Sequence, residues 1–205
     1  MTLANRTLDY YEQDAEDLAA RYESADVAAL HRRLVAAFAP GARLLELGAG
    51  SGRDAAAMVA AGFAVTMADG SEAMLRQAVV VHPELAGRAV FHRCPAPLPW
   101  DDGAFDGVYA LAMLMHLPTA QIQATLAEAA RVLRPGGRLF FSVPFSRDDI
   151  VAGSRDAKGR LFTNLSPEGW LEAGAAAGLG LLESRESPDG LGRPGMRWIS
   201  ALMQK

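Results

Sequence analysis

The chain has 205 residues, 50% of them hydrophobic and 21% charged, and its 20 Lys and Arg against 24 Asp and Glu give a formal net charge of −4. These proportions are typical of one globular domain, residues 1–205, that folds without disulfides, and the acidic balance disfavours a general polyanion binder. The single cysteine excludes a multi-cysteine metal site, and Asp101 and Asp102 precede a surface turn, so we expect no bound metal. No apolar run reaches the ~18 residues of a membrane span and residues 1–5 lack a signal-peptide pattern, so we expect a soluble, cytoplasmic protein.

Residues 1–40 are expected to form an N-terminal helical lid, with helices at Leu8–Ala20 and Ala25–Ala39. Residues 41–144 then alternate short apolar runs with helical stretches. The expected strands are Arg43–Leu47, Phe63–Ala68, Ala89–His92, Phe105–Met113 and Arg138–Val143, and the expected helices are Asp54–Ala61, Ser71–Val81 and Thr119–Leu133. This alternation indicates a doubly wound α/β sheet, and strands that are apolar throughout favour parallel pairing with both faces covered.

Residues 145–205 form the third part of the predicted domain. A long polar loop at Phe145–Asn164 leads into a helix at Pro167–Ala177, and two further strands lie near Gly180–Glu186 and Arg197–Met203. We expect these strands to complete the sheet and the loop to cover a substrate above the cofactor-binding core, residues 41–144.

The most informative motif is the glycine-rich turn after the first strand, LLELGAGSGRD at residues 44–54. Glycine at 48, 50 and 52 permits a tight turn and a close approach of the backbone to a ligand. Asp69 ends the second strand, 21 residues after Gly48, where a carboxylate can accept both hydroxyls of a ribose. The spacing G-x-G-x-G differs from the G-x-G-x-x-G of dinucleotide sites. The alternative is a purely structural glycine turn followed by an ordinary aspartate cap.

Four segments together resemble the class I S-adenosylmethionine-dependent methyltransferases: LLELGAGSGRD, ADGSEAML from residue 68, LPWDDGAFDGVYA from residue 98 and EAARVLRPGGRLFFSVP from residue 128. Within that class the chain is similar to the small bacterial type 11/12 and tellurite-resistance-like group. The resemblance implies a Rossmann-like, doubly wound, seven-stranded sheet whose last strand is antiparallel, preceded by N-terminal helices. It also implies S-adenosylmethionine as the cofactor.

The resemblance assigns cofactor contacts position by position. It places the methionine and ribose against the glycine loop, the ribose hydroxyls on Asp69, and the adenosine beside the residues that follow it. The implied cofactor-binding residues are Tyr11, Glu46, Gly48, Ala49, Gly50, Gly52, Asp69, Gly70, Met74, Pro95, Ala96, Leu111 and Ala112. Many relatives have an acid after the third strand that contacts adenine. This chain has Arg93-Cys94-Pro95-Ala96 there, so backbone groups at Pro95 and Ala96 are expected to replace that contact.

The acceptor side carries less specific signals. His116 follows the fourth strand and is either a catalytic base or a residue that holds its loop in place. Tyr10 and Tyr11 either fold over the site as part of a lid or pack without touching a ligand. Arginines after the fifth strand would bind a carboxylate or phosphate, or else they are solvated loop charges, and Arg160 and Arg197 are the pair to test first.

The function expected from these observations is methyl transfer from S-adenosylmethionine to an oxygen, nitrogen or sulfur atom of a small molecule, which is compatible with an anionic acceptor. Positioning for in-line displacement would supply most of the catalysis. Three alternatives remain open at this point: methylation of tRNA or another nucleic acid, which the acidic balance disfavours, a catalytically silent S-adenosylmethionine-binding module, and a nicotinamide-dependent reductase.

Overall fold

The computed structural model describes residues 5–147, 150–151 and 154–205. Nine strands occur in this part of the chain: β1 (Arg43–Leu47), β2 (Ala64–Asp69), β3 (Ala89–Phe91), β4 (Phe105–Leu111), β5 (Leu133–Ser146), β6 (Ile150–Val151), β7 (Arg155–Asp156), β8 (Gly180–Pro188) and β9 (Arg197–Gln204). Its seven α-helices are α1 (Asn5–Gln13), α2 (Ala15–Glu23), α3 (Ala28–Ala37), α4 (Arg53–Ala60), α5 (Glu72–Val81), α6 (Thr119–Val132) and α7 (Pro167–Ala176). Two 3-10 turns lie at Pro83–Leu85 and Leu114–His116.

Seven of the strands form one sheet in the order β3-β2-β1-β4-β5-β9-β8. The first five strands in this order pair in parallel, whereas β9 is antiparallel to both β5 and β8. The Rossmann-like, doubly wound, seven-stranded sheet with an antiparallel last strand is therefore confirmed. Because the five parallel strands end at the same edge of the sheet, the loops after β1, β2 and β4 lie next to one another.

Two hydrophobic clusters sandwich this sheet. Successive residues of β5 point to opposite faces, so Phe141 packs in one cluster with Trp170, and Phe140 packs in the other with Phe38. At Gly107 in β4, an added Cβ would lie 2.4 Å from the ring of Phe38, so no side chain fits at this position of the central strand. The covered faces explain why these strands read as continuous apolar runs in the sequence.

The N-terminal helices differ from the prediction in one respect. The single helix expected at Leu8–Ala20 is two helices, because Asp14 has φ −107 and ψ 22 and turns the chain between α1 and α2. Ser71 accepts a hydrogen bond from the backbone N–H of Met74 and caps the N-terminus of α5. No helix in the described part of the chain is both long and apolar enough to cross a bilayer.

The segment after β5 is not wholly irregular, although the sequence predicted a long loop there. β6 and β7 form a small antiparallel pair inside it. β5 itself begins at Leu133 and ends at Ser146, so it is longer at both ends than the predicted Arg138–Val143. The division of one domain into residues 1–40, 41–144 and 145–205 stays a prediction.

Candidate functional site

A cavity of about 740 Å³ lies at the carboxyl ends of the parallel strands. Its walls come from the glycine loop, the ends of β2 and β4, the N-terminal helices, the segment 160–162 and the segment between β8 and β9. A volume of this size is typical of sites for small molecules and cofactors. Ten of the predicted site residues line it: Tyr11, Gly48, Ala49, Gly50, Asp69, Gly70, Leu111, Ala112, His116 and Arg160.

The backbone N–H groups of the glycine loop are used within the protein. Gly48 and Ala49 both donate to the carbonyl of Ala68, at 2.8 and 3.2 Å, and Gly52 donates to the carbonyl of Ala49 at 3.0 Å. Gly50 donates to Asp69 Oδ2 at 2.9 Å. A pyrophosphate is bound by N–H groups that point at its charge. A loop whose donors are engaged in this way favours an uncharged nucleoside over a dinucleotide.

Backbone conformation requires glycine at all three positions of the loop, and packing adds a second requirement at two of them. Gly48, Gly50 and Gly52 have φ of +78, +54 and +80, a region that other residues rarely adopt. A Cβ on Gly48 would lie 2.3 Å from Met113 Cγ, and one on Gly52 would lie 2.7 Å from Leu85. Close packing within the protein therefore excludes a side chain at Gly48 and at Gly52. Gly52 lies behind the cavity wall, whereas Gly48 and Gly50 line it.

Asp69 is held in one orientation at the end of β2. Its Oδ2 accepts the N–H of Gly50 and its Oδ1 accepts the N–H of Ser71, both at 2.9 Å. Burial raises the pKa of this carboxyl group, although the backbone hydrogen bonds act in the opposite direction. Each carboxylate oxygen has a second lone pair, so the pair can also accept two vicinal hydroxyls. This geometry fits the ribose of a nucleoside.

A cluster that the sequence analysis did not single out lies beside the loop, where Arg53 and Asp54 line the cavity. His31 Nε2 lies 2.6 Å from Asp54 Oδ1, and Arg53 donates to both oxygens of Asp54 at 3.0 Å. Burial opposes ionisation of Asp54, but the hydrogen bond from His31 and the charge of Arg53 outweigh it and lower its pKa. Arg53 also donates to the carbonyl of Tyr22, at 2.7 Å. The cluster therefore ties α2 and α3 to the start of α4.

Glu46 lies in β1, just before the glycine loop and outside the lining of the cavity, so its cofactor contact stays a prediction. Its carboxyl group is buried, with Tyr109 donating to Oε2 at 3.3 Å. Burial and the neighbouring charge of Asp54 raise the pKa of Glu46 well above its ordinary value. Met74 is also outside the lining, because it packs against Ala15 and Leu18 in the core under the N-terminal helices.

The end of the cavity near β3 is lined by His92, Arg93 and Cys94 rather than by Pro95 and Ala96. The backbone of Ala96 is engaged, because its carbonyl lies 3.0 Å from His92 Nε2 and its N–H donates to the carbonyl of Arg93. Burial raises the pKa of the Cys94 thiol to about 11, so the thiol is protonated at neutral pH. An adenine contact at Pro95 and Ala96 stays a prediction.

His116 joins the N-terminal lid to the segment after β7. Tyr11 Oη lies 2.8 Å from His116 Nε2, and His116 Nδ1 lies 2.7 Å from the carbonyl oxygen of Leu161. A carbonyl only accepts, so Nδ1 carries the proton and Nε2 accepts from the Tyr11 hydroxyl. Burial lowers the pKa of His116 to about 4, and the charges of Arg160 and Arg147 act in the same direction. The imidazole is therefore neutral at pH 7.

Arg160 and Arg197, the two arginines proposed as a pair, are not brought together. Arg160 lines the cavity and binds Asp156 through Nε at 2.8 Å and Nη2 at 2.6 Å. It lies over Tyr10, which itself is outside the cavity lining. Arg197 is also outside the lining and pairs with Glu186 at 2.5 Å. Substrate roles for Tyr10 and Arg197 stay predictions.

Arg147 takes the place near Arg160 that the sequence analysis gave to Arg197. It lines the cavity, and its Cζ lies 3.5 Å from the centre of the Phe162 ring. Arg147 directly follows β5 in the sequence, at the edge of the sheet where ligands bind. That position is the sequence signal that could have identified it as a site residue.

Comparison with known proteins identifies similar sequences over about half of the chain. Residues 45–141 match a family described as a methyltransferase domain. A demethylmenaquinone methyltransferase from Clavibacter sepedonicus is 42% identical over 110 residues, which cover 51% of this chain and 43% of that protein. The chain spans less than half the length of the curated relatives it matches, 37–44% for three of them.

Two solved structures share the fold over most of the chain. The 1,6-didemethyltoxoflavin-N1-methyltransferase from Burkholderia thailandensis, solved with 1,6-didemethyltoxoflavin and S-adenosylhomocysteine, is 24% identical, with a TM-score of 0.68 over 98% of this chain and 82% of that one. A geranyl diphosphate methyltransferase in complex with GPP and sinefungin is 14% identical, with a TM-score of 0.74 over 100% of this chain and 98% of that one.

Fold, loop and cavity together define a Rossmann-like methyltransferase. Residues 45–141 carry a methyltransferase domain, and the chain has the Rossmann-like fold of the class I S-adenosylmethionine-dependent methyltransferases. Membership of the tellurite-resistance-like subgroup stays a prediction.

Proposed function

We propose that this chain transfers a methyl group from S-adenosylmethionine to an oxygen, nitrogen or sulfur atom of a small molecule. The observation that carries the proposal is the orientation of Asp69, which the N–H groups of Gly50 and Ser71 hold at the cavity next to the glycine loop. A nucleoside cofactor of this family fits that arrangement, because its ribose offers two hydroxyls and its amino-acid tail needs no phosphate-binding nest.

In this proposal the residues around the glycine loop bind the cofactor. Asp69 accepts the ribose hydroxyls, Gly48, Ala49 and Gly50 form the floor, and Leu111 and Ala112 close the side toward β4. Ala112 has φ +55, a left-handed conformation that only tertiary context maintains in a residue with a Cβ. S-adenosylmethionine, when bound, supplies a methyl group activated by its sulfonium sulfur, because the sulfur leaves readily as a neutral thioether.

The N-terminal lid excludes water and orients the acceptor. Helix α1 is attached to the far wall by two hydrogen bonds, the one from Tyr11 to His116 and the one from the N–H of Leu161 to Thr7 Oγ1 at 2.9 Å. His116 acts here as a positioning residue, because its lone pair accepts from Tyr11. Catalysis then comes from holding the nucleophile in line with the methyl carbon in a site closed to water.

A thermal-shift experiment with S-adenosylmethionine, S-adenosylhomocysteine, NADH and NADPH tests the cofactor. We expect stabilisation by the two S-adenosyl compounds alone, by about 2.7 kcal/mol at 100 times the dissociation constant. The Asp69→Asn variant should lose about 1 kcal/mol or more of this stabilisation, whereas Arg76→Gln, on the exposed face of α5, should keep it. Stabilisation by a nicotinamide, or none by the S-adenosyl compounds, would contradict the proposal.

Methyl transfer is measured with a donor labelled in its methyl group and a set of candidate acceptors. Binding of both S-adenosyl compounds without transfer to any small molecule would favour the silent binding module. Transfer to tRNA that weakens steeply with salt would favour the nucleic-acid alternative.

A further inference from the structure

We propose that the acceptor is an organic acid methylated on its carboxylate, and that Arg147 and Arg160 bind the negative charge of that group. The inference rests on the proposed function and names the substrate class of the same site. Two independent observations carry it: the arrangement of guanidinium groups at one end of the cavity, and the engagement of the histidine beside them.

Both guanidinium groups lie against one aromatic ring at the cavity wall. The Cζ of Arg147 lies 3.5 Å from the centre of the Phe162 ring, and the Cζ of Arg160 lies 5.2 Å from it. Asp156, which binds Arg160, is buried and lies outside the cavity lining. The guanidinium group of Arg160 therefore faces the cavity, and the carboxylate that balances its charge lies behind it. Guanidinium groups form strong, charge-assisted hydrogen bonds with carboxylate oxygens, so this end of the cavity suits that anion.

The neighbouring histidine is poorly placed to remove a proton from an acceptor. His116 donates from Nδ1 to Leu161 and accepts at Nε2 from Tyr11, so both ring nitrogens are engaged. A proton taken up by His116 would also create a third cation beside Arg147 and Arg160, in a buried position. An alcohol or an ammonium group needs a base before it can attack, whereas a carboxylate is ionised at neutral pH and needs none.

The reaction balances without a proton. One carboxylate oxygen accepts from a guanidinium while the other forms the new bond to the methyl carbon. The bond from that carbon to the sulfonium sulfur breaks, and its electron pair stays on sulfur, which becomes a neutral thioether. The product is a neutral methyl ester. Because the ester has lost the charge that the arginines bind, it should dissociate more readily than the acid.

The first test measures binding, with the protein saturated with S-adenosylhomocysteine. Benzoate, cinnamate and decanoate are the probes, and each is compared with its methyl ester by titration and thermal shift. We expect at least one acid to bind about tenfold or more tightly than its ester, since charge-assisted hydrogen bonds are lost in the ester. Arg147→Gln should remove this preference, Arg147→Lys should keep part of it, and Arg76→Gln should leave it unchanged.

The second test measures the chemistry of the product. After incubation with donor labelled in the methyl group and the probe acids, mild alkali releases labelled methanol from an ester but leaves ethers, amines and thioethers intact. Alkali-labile label, lost in Arg147→Gln, is the expected result. If S-adenosylhomocysteine stabilises the protein but no acid binds better than its ester, or if the label is alkali-stable, this inference is wrong while the proposed function stands. If S-adenosylhomocysteine does not bind, the proposed function itself fails.

Discussion

Replacing Gly48 with alanine tests why the first glycine of the loop is there. The added Cβ would lie 2.3 Å from Met113 Cγ and 2.5 Å from Met113 Cβ. Rotation about χ1 of Met113 moves its Cγ away but leaves its Cβ in place, so the backbone of one of the two loops must shift. The left-handed φ of +78 adds a second cost that rotation cannot relieve.

The two costs can be separated by a double-mutant cycle. The left-handed conformation costs about 1–2 kcal/mol with a Cβ and overpacking costs about 1–3 kcal/mol, so Gly48→Ala should lose about 2–5 kcal/mol of unfolding free energy. Combined with Met113→Gly, which removes both clashing atoms, the loss should be about 1–3 kcal/mol smaller than the sum of the single effects. Met113→Ala should rescue less, because its Cβ remains.

Urea denaturation followed by circular dichroism measures each corner of this cycle, and titration with S-adenosylhomocysteine reports on the site. A loss below about 1 kcal/mol in Gly48→Ala, or additivity of the two changes within about 0.5 kcal/mol, would refute the packing argument. Gly48 would then be required in this loop only by its φ or by the ligand. Gly62, which has φ +90 and open space around it, is the matched control for the conformational cost alone.

Three further predictions concern the site. Asp69→Asn should weaken S-adenosylhomocysteine binding by about 1–3 kcal/mol in a calorimetric titration, because the ribose hydroxyls lose an acceptor, and an affinity within twofold of wild type would contradict the ribose assignment. The folded-state pKa of His116, about 4 against 6.5 when unfolded, means that the unfolded chain binds the proton first as the pH falls. The unfolding free energy should therefore drop by about 3 kcal/mol between pH 6.5 and 4, and His116→Gln should flatten this slope in urea titrations across that range. Cys94, with a pKa of about 11, should react with iodoacetamide at pH 8 about 100-fold more slowly than free cysteine, and a rate equal to that of the free thiol would contradict its burial.

The elements of the core follow from local patterns. The apolar runs of β1, β2 and β4 reflect a sheet covered on both faces, and the turn chemistry of the glycine loop depends on backbone conformation rather than on distant contacts. Asp69 could be located for a similar reason, since the end of the second strand lies beside the first loop wherever the first two strands pair in parallel, as they do here. The break between α1 and α2 at Asp14 carried no such local signal.

The acceptor side depends on contacts between residues far apart in the chain. Tyr11 meets His116 across 105 positions, and His31 meets Asp54 across 23, so no spacing rule relates them. The positions of the arginines also depend on tertiary contacts. Arg160 lines the cavity and forms an ion pair with Asp156, whereas Arg197 lies outside the lining and forms an ion pair with Glu186. The sequence does not distinguish a charged side chain that faces a ligand from one that faces solvent, because its partner depends on how the loops pack.

The sequence by itself determined the class of fold, the nucleoside-type loop and the carboxylate beside it, because strand periodicity and glycine conformation are properties of adjacent residues. Only the tertiary structure decided that Gly48 and Gly52 are excluded from bearing a side chain by Met113 and Leu85. Only the tertiary structure also places the Tyr11 hydroxyl where it donates a hydrogen bond to Nε2 of His116. Packing density and hydrogen-bond partners are properties of the assembled core, where side chains from different segments compete for the same space.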